Sequence, residues 1–192
     1  MYKNISRSNW IATTAVLAGM ASVLYFLEMP VPLMPAFIQF DFSMLPIFIG
    51  SITLGPVSGI VITIIKGAGA TGGIGDLADL VTCLCFIVPS GLIYKKFPNY
   101  KGMIIGLLAG CFSSALLSGL FFNALVVYPL YDKFILPMSA IVAMYQKIRP
   151  SANGLWEILA MFNMPYTFLK CVVISIIALL ISKPLRSILK IQ

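Results

Sequence analysis

The apolar stretch MLPIFIGSITLGPVSGIVITII, residues 44–65, carries a glycine and a proline at its centre. A membrane-spanning helix needs about 20 residues, so this stretch has the length of one span. However, Gly55 precedes a proline and is steered away from the helical region, and Pro56 lacks an N–H and suits the first position of a new helix. The stretch therefore predicts two short helices joined by a tight turn, with one continuous helix as the alternative.

The composition of the whole chain places this stretch in a lipid bilayer. Of the 192 residues, 60% are hydrophobic and 10% are charged, whereas a soluble domain carries roughly 25% charged residues. Four further apolar runs lie at 10–27, 77–94, 103–128 and 165–182. We therefore expect one integral membrane domain, 1–192, surrounded by lipid.

The distribution of charges decides between five and six crossings. With five crossings and the N-terminus inside, the basic cluster at 95–101 would face outside, against the positive-inside rule. Two helices within 44–65 give six crossings and remove this conflict. The cytoplasmic side then holds Lys3, Arg7, Lys95, Lys96, Lys101, Lys183, Arg186 and Lys190. The outer side holds all six acids, namely Glu28, Asp41, Asp76, Asp79, Asp132 and Glu157.

The sequence therefore predicts an all-α integral membrane protein with six transmembrane helices and both termini in the cytoplasm. The predicted helices cover about 10–28, 37–54, 56–67, 76–95, 102–129 and 165–187. A long outer lid loop follows the first helix, and a long, partly helical outer loop precedes the sixth. Elaborate outer loops and bare inner turns favour ligand binding at the outer face.

Several classes of function lack their usual residues. The chain has no histidine, which is the commonest metal ligand and general base. Its four cysteines lie in apolar runs, where buried small side chains are expected rather than disulfides or a zinc site. The basic residues that give the chain its net charge of +7 flank the apolar runs. This placement indicates contact with anionic lipid, not with nucleic acid. We therefore predict no catalytic residues, no bound metal and no cofactor.

Two outer segments contain polar residues beside prolines or glycines, which impose unusual backbone conformations. Prolines in 28–43 force extended backbone, and Phe40 and Asp41 belong to a mixed aromatic and polar strip that could form a lid or an interfacial aromatic belt. The segment 66–79 contains a GxGxxG match, but no strand precedes it, so we reject a dinucleotide site. Its Asp76 suits a helix cap, whereas Asp79 lies one turn further on and is less easily explained.

Three polar residues interrupt the later apolar runs. Asn123 is an amide within an apolar helix, where it either bonds to a neighbouring helix or binds a ligand. Lys170 is the one cation that the sequence places well inside an apolar run, and no acid lies deep in any span to pair with it. Thr167 precedes it by three residues and lies on the same helical face. We expect these residues to meet in the outer half of the bundle.

Small residues follow small-xxx-small spacing in the first helix, which permits close helix contact. Ala15 pairs with Gly19, and Ala18 pairs with Ser22. Packing within the bundle and docking of another membrane subunit both agree with this spacing.

Ordered motifs along nearly the whole chain carry a resemblance to a known family. They are Leu27-Glu28-Met29-Pro30, Asp41-Phe42-Ser43, Leu54-Gly55-Pro56, Gly72 to Asp79, Asn123 with Tyr128-Pro129-Leu130-Tyr131, Ile141 to Met144, Leu155-Trp156, and Pro165 to Lys170. With them the chain resembles the substrate-binding S-component of an energy-coupling factor (ECF) vitamin transporter, and most of all the riboflavin-specific branch.

This resemblance implies a six-helix domain of the bacterial cell membrane that binds riboflavin from outside. It implies docking through the first helix onto a transmembrane coupling subunit driven by two ATPase subunits. The candidate ligand-binding residues are Phe40, Asp41, Asp76, Asp79, Asn123, Tyr128, Thr167 and Lys170. The candidate docking residues are Ala15, Ala18, Gly19 and Ser22.

The chain departs from the pattern of that family at a few positions. The usual Glu-Leu-Ala-Asn is here Asp76-Leu-Ala-Asp79, a common acid is Met44, and a frequent asparagine is Thr167. Another vitamin or flavin, such as FMN or roseoflavin, is therefore an alternative ligand. A membrane enzyme that uses Asp76 and Asp79 with a metal, and a purely structural bundle, are rivals of a different class.

Overall fold

The structure is a computed structural model that describes residues 5–32, 34, 35, 37–70, 72–152 and 154–189, with side chains as far as residue 181. Among the predicted inner cations, Lys3 and Lys190 lie outside the described residues, as do the side chains of Lys183 and Arg186.

The described chain forms seven helices and one small antiparallel sheet. The helices are α1 (Arg7–Phe26), α2 (Met44–Leu54), α3 (Pro56–Ala68), α4 (Ile74–Lys96), α5 (Tyr100–Phe134), α6 (Met138–Gln146) and α7 (155–189), and the strands are β1 (Met29–Pro30) and β2 (Gln39–Phe40). Four of the helices, α1, α4, α5 and α7, are long and apolar enough to cross a membrane, and α2 and α3 are shorter apolar helices.

The break between α2 and α3 lies where the sequence predicts it. Gly55 has φ 104° and ψ 160°, a conformation that disfavours residues with a Cβ, and Pro56 is the first residue of α3. The Nζ of Lys66, near the end of α3, donates to the Oγ of Ser43, just before α2, at 3.2 Å. The two helices therefore run in opposite directions, and the alternative of one continuous helix is wrong.

Contacts between helix ends define the two faces of the bundle. The indole N–H of Trp10, at the start of α1, donates to the carbonyl of Leu54 beside the α2–α3 turn. The Oγ of Ser90, near the end of α4, donates to the carbonyl of Gly106 near the start of α5. The opposite end gathers the end of α1, the starts of α2 and α4 and the first half of α7, and Glu28, Asp41, Asp76 and Asp79 lie together there.

The segment before α2 differs from its predicted structure. The predicted helix 37–54 begins only at Met44, because β2 pairs antiparallel with β1 and opposes Met29 to Phe40. Proline-rich backbone favours extended structure over a helix at these positions. The Oδ1 of Asp41 accepts from the backbone N–H of Ser43 at 2.8 Å, and this bond satisfies an amide at the beginning of α2.

The last two long helices extend beyond their predicted bounds of 102–129 and 165–187. Helix α5 continues through Pro129, and α7 begins at Leu155 and continues through Pro165. Wide turns with i to i+5 hydrogen bonds occupy 114–127 and 159–163, and the backbone N–H of Tyr128 donates to the carbonyl of Asn123. Such turns let a helix absorb the hydrogen bond that a proline cannot make.

The predicted docking residues of α1 do not all face outward. Ala15 and Gly19 are exposed, whereas Ala18 is buried in the core at 2% exposure. The Oγ of Ser22 is partly buried and donates to the carbonyl of Ala18 within the helix. Ala18 therefore packs inside the bundle, because it belongs to the buried stripe of Thr14, Leu17, Ala18 and Ala21, which has the i, i+3, i+4, i+7 spacing of one helical face.

Candidate functional site

Two adjoining cavities open among the helix ends that gather the acids. The inner cavity, of about 660 Å³, lies between α4, α5, α7 and the β2 segment. The outer cavity, of about 920 Å³, lies between the end of α1, the start of α4 and the end of α5. Five residues line both cavities, namely Phe37, Gln39, Gly75, Asp79 and Tyr131.

The inner cavity combines aromatic walls with a few polar groups. Its aromatic lining residues are Phe37, Tyr128, Tyr131 and Tyr166. Its polar side chains are Gln39, Asp79, Thr82, Asn123, Asn163, Thr167 and Lys170. This composition is typical of a site for a flat, partly polar ring compound.

A buried network of four charges lies at the floor between the two cavities. The Nζ of Lys170 is 2.7 Å from the Oδ2 of Asp41 and 3.1 Å from the Oδ1 of Asp79. Lys66 forms a second ion pair with Asp79 and is almost completely buried. The two positive and two negative charges balance, which is the condition for holding charges away from water.

This network corrects two predictions about Lys170. It is not the only deeply placed cation, because Lys66 is buried beside it, and it does not lack acidic partners. The sequence hides both facts, since Asp41 precedes α2 and Asp79 lies in the second turn of α4, far from Lys170 along the chain. Only the packing of α7 against the starts of these two helices brings the four charges together.

Hydrogen bonds fix the predicted lid segment over the inner cavity. The hydroxyl of Tyr166, on α7, donates to the backbone carbonyl of Gln39 at 2.7 Å. The side-chain amide of Gln39 faces the carboxylate of Glu28 and donates to it. The Lys170–Asp41 ion pair adds a second attachment to α7. The segment is therefore held to α7, and its two ends are joined to each other.

Asn123 lines the inner cavity and carries a buried acceptor atom without a partner. Its Nδ2 donates to the carbonyl of Gly119 in its own helix at 3.3 Å, so the structure does not use this amide to bridge two helices. Its Oδ1 is buried and has no hydrogen-bond partner. Buried polar atoms are nearly always paired in proteins. This oxygen is therefore available to a donor that enters the cavity.

The remaining predicted ligand residues divide between the cavities. Thr167 and Tyr128 line the inner cavity, and Asp76 lines the outer one. The Oδ2 of Asp76 accepts from the backbone N–H of Gly73 at 2.9 Å, which confirms the predicted helix cap. Asp76 also accepts from the hydroxyl of Tyr25. Phe40 lines neither cavity, and its ring packs edge-on against Phe42.

The outer cavity is electronegative. Its lining includes Glu28, Asp41, Asp76 and Asp79. Partial desolvation, and then the charges of Asp41 and Asp76, raise the pKa of Glu28 above its ordinary value. Within the described residues, no group of three acidic, cysteine or histidine side chains has the arrangement to hold a metal ion.

Several lining residues were missed by sequence reasoning. Tyr25 lies at the end of α1 and Tyr166 beside the start of the predicted sixth helix, and tyrosine at such interfacial positions is common in any membrane protein and therefore carries little signal. Asn163 precedes Thr167 by four residues and Lys170 by seven, so helical periodicity could have identified it on the same face. Lys66 gave no comparable signal, since it follows an apolar run like many interfacial lysines.

Comparisons with known proteins agree with this arrangement. Residues 9–182 match the family described as ECF transporter, substrate-specific component. The riboflavin transporter RibU of Staphylococcus aureus (strain TCH60) is 27% identical over 192 residues, which cover 97% of this chain and 95% of that protein. The riboflavin transporter FmnP of Bacillus subtilis (strain 168) is 29% identical over 133 residues, which cover 65% of this chain and 70% of that protein.

A solved structure of the S component of a bacterial ECF transporter superposes with a TM-score of 0.75 at 25% identity. The match covers 96% of this chain and 99% of that chain. The expected family is thereby confirmed, together with a multi-pass membrane protein that is a transporter component and not an enzyme. The chain belongs to the family of substrate-specific components of ECF transporters.

Proposed function

We propose that this chain binds riboflavin at the outer face of the membrane and delivers it for uptake as the S-component of an ECF transporter. Two relatives that match it are riboflavin transporters. The observation that carries the proposal is the inner cavity, where aromatic walls surround the unpartnered Oδ1 of Asn123. Separate ATPase subunits supply the energy.

The chemistry of the cavity suits a flavin. A flavin has a flat ring system with one edge that carries two carbonyl groups and an N–H between them. The Oδ1 of Asn123 accepts from such an N–H, and Thr167 and Lys170 donate to the carbonyls. Aromatic side chains, including those of Tyr128 and Phe37, contact the ring faces. The N–H of a bound flavin thus supplies the hydrogen-bond partner that the Oδ1 of Asn123 lacks.

The electronegative outer cavity favours riboflavin over its phosphorylated form. A phosphate group would enter the field of Glu28, Asp76 and their neighbours, and like charges repel most strongly away from bulk water. FMN is therefore the weaker ligand in this proposal, and roseoflavin, which carries no phosphate, competes with riboflavin.

The absorption and fluorescence of the purified protein test this function. We expect protein purified in detergent from riboflavin-containing medium to be yellow, and the ligand-free form to quench riboflavin fluorescence at one ligand per chain. FMN should bind at least tenfold more weakly in the same titration. Tight binding of another vitamin, with no response to any flavin, would overturn the proposal.

We further propose that α2 and α3 complete six crossings with both termini in the cytoplasm. The antiparallel pair α2–α3 supports this topology, because it places the α4–α5 turn at the same end of the bundle as the start of α1. The basic residues Lys95, Lys96 and Lys101 then obey the positive-inside rule.

Cysteine labelling tests this topology. Pro98→Cys, in the exposed α4–α5 turn, should resist an impermeant thiol reagent in intact cells and react with a permeant one. Phe134→Cys, at the exposed end of α5, should react with both reagents. The unmodified chain gives the background from its own cysteines. Labelling of residue 98 by the impermeant reagent would contradict six crossings.

We also propose that the exposed small residues of α1 dock onto the coupling subunit. Ala15 and Gly19 form an exposed strip, whereas the buried Ala18 cannot take part. A Cβ built on Gly19 meets no atom within 4 Å, so this face of the helix offers open space to a partner helix.

The variant Gly19→Leu tests the docking surface. It adds bulk where the chain itself leaves room, so riboflavin affinity should stay within twofold of the unmodified protein. Co-purification with the coupling and ATPase subunits, and riboflavin uptake, should fall at least tenfold. The matched control is Ala160→Leu, which adds a similar volume at an exposed position of α7. Normal assembly of Gly19→Leu would show that the partner binds elsewhere.

A further inference from the structure

Three buried side chains form a closed ring of hydrogen bonds beside the inner cavity. The hydroxyl of Tyr145 donates to the Oδ1 of Asn163 at 2.7 Å, and the Nδ2 of Asn163 donates to the hydroxyl of Tyr128 at 2.8 Å. The hydroxyls of Tyr128 and Tyr145 are 2.6 Å apart. The exposed fractions of Tyr145, Tyr128 and Asn163 are 0%, 2% and 5%.

Counting donors fixes how this ring is satisfied. A tyrosine hydroxyl has one hydrogen, and that of Tyr145 is used on Asn163, so Tyr128 must donate to Tyr145. Rotating the Asn163 amide by 180° would reverse the sense of the ring but would use the same hydroxyl hydrogens. In either sense neither tyrosine has a hydrogen left for a ligand. Tyr128 can therefore contact a ligand in the cavity with its aromatic ring but cannot donate its hydroxyl hydrogen to it.

The ring of hydrogen bonds joins residues from three different helices. Tyr128 lies on α5 and Asn163 on α7, and both line the inner cavity. Tyr145 lies on α6, in the outer segment between these helices, and does not line either cavity. The ring of Tyr128 also packs edge-on against Phe37 of the lid segment, with centroids 6.4 Å apart. A change at Tyr145 therefore reaches two walls of the cavity and its lid.

We propose that Tyr145 is a positioning residue for the transported ligand. Its hydroxyl holds Tyr128 and Asn163 in one fixed relation, so the outer helix α6 sets the separation of the α5 and α7 walls. This inference rests on the proposed riboflavin function and assigns a part in it to a residue that does not touch the ligand. Fixing the walls before the ligand arrives strengthens binding, because less ordering is needed on association.

The variant Tyr145→Phe tests this role, because it removes one oxygen and keeps the aromatic packing against Phe162. We expect riboflavin to bind about tenfold more weakly, mostly through faster dissociation. Tyr128→Phe opens the same ring from another side. The double variant should therefore bind about as weakly as the weaker single variant, and not with the product of the two losses. Riboflavin fluorescence gives both the affinity and the dissociation rate.

Two controls separate positioning from simple packing. Tyr100→Phe removes an exposed hydroxyl at the opposite end of the bundle and should leave affinity unchanged. Phe162→Leu disturbs the packing around Tyr145 but leaves the ring of hydrogen bonds intact. It should lower the melting temperature of the ligand-free protein while affinity stays within twofold. An equal loss of affinity in Phe162→Leu would overturn the positioning role.

The remaining outcomes also decide the proposal. Unchanged affinity and dissociation rate in Tyr145→Phe, or independent effects in the double variant, would overturn the role of Tyr145 and leave the riboflavin function standing. Failure of the unmodified protein to bind riboflavin would overturn the function, and this inference with it. The two failures are distinguishable, because the unmodified protein and Tyr100→Phe are measured in the same titration.

Discussion

Replacing Lys170 with methionine is expected to weaken riboflavin binding by about 10- to 100-fold, the range that corresponds to a lost charge-assisted hydrogen bond. The same change should lower the free energy of unfolding by about 3–5 kcal/mol, because it leaves the buried carboxylate of Asp41 without its counter-charge. Riboflavin titration and chemical unfolding in detergent measure the two effects separately.

The double variant Asp41→Asn/Lys170→Met is the matched control for this prediction. It removes the ammonium and the stranded carboxylate together, so most of the lost stability should return. Riboflavin affinity should stay low, because no donor replaces the Nζ of Lys170 in the inner cavity. If affinity returned with stability, Lys170 would act on the fold alone and would not contact the ligand.

Much of the fold of this protein could be predicted from the distribution of its charges and from the dipeptide Gly55-Pro56. Gly55 and Pro56 break an apolar run that has the length of a single span, and the positive-inside rule applied to the basic turn at 95–101 favours the same break. Both signals act locally and need no knowledge of tertiary contacts. This explains why the α2–α3 break is confirmed almost to the residue.

Helix ends were less predictable, because prolines gave a misleading signal. The predicted fifth helix ends at Pro129 and the predicted sixth begins at Pro165, but wide turns before these prolines let α5 and α7 continue. The reverse happened in the lid, where residues after Phe37 pair with β1 instead of extending α2. In both cases the deciding hydrogen bonds depend on the neighbouring backbone, which residue spacing alone does not reveal.

The site shows the same division between local and tertiary information. Asn123, Thr167 and Lys170 stood out because polar residues are rare in apolar helices, and the structure brings all three to the inner cavity. The partners of Lys170 could not be inferred in this way. The sequence alone gives no role for the carboxylate of Asp79 and no sign that Lys66 is buried. Both are explained by the fold, which places the two side chains in an ion pair.

Exchanging Asp79 for asparagine should therefore destabilise the protein by about 3–5 kcal/mol, as expected when a buried ion pair loses one partner. Lys66 is 2% exposed, and its remaining close neighbours are the Ser43 hydroxyl at 3.2 Å, the Cys83 sulfur at 3.6 Å and the Tyr25 ring at 4.6 Å, none of which is a carboxylate. The melting temperature of the ligand-free protein in detergent measures the effect. A change below 1 kcal/mol would show that Lys66 reaches water or another acceptor when Asp79 is neutral.

The compensating variant Lys66→Met/Asp79→Asn should recover most of that stability, because it removes both charges and keeps their approximate volume. Lys66→Met alone should be milder than Asp79→Asn, since Asp79 keeps Lys170 at 3.1 Å. Asparagine has nearly the same volume as aspartate and can still accept a hydrogen bond, so the loss reflects the missing charge and not a change of shape. Asparagine at position 79 is unfavourable here because it leaves the buried Lys66, at the end of α3, without a counter-charge. An aspartate at position 79 is therefore required by the buried cation at position 66.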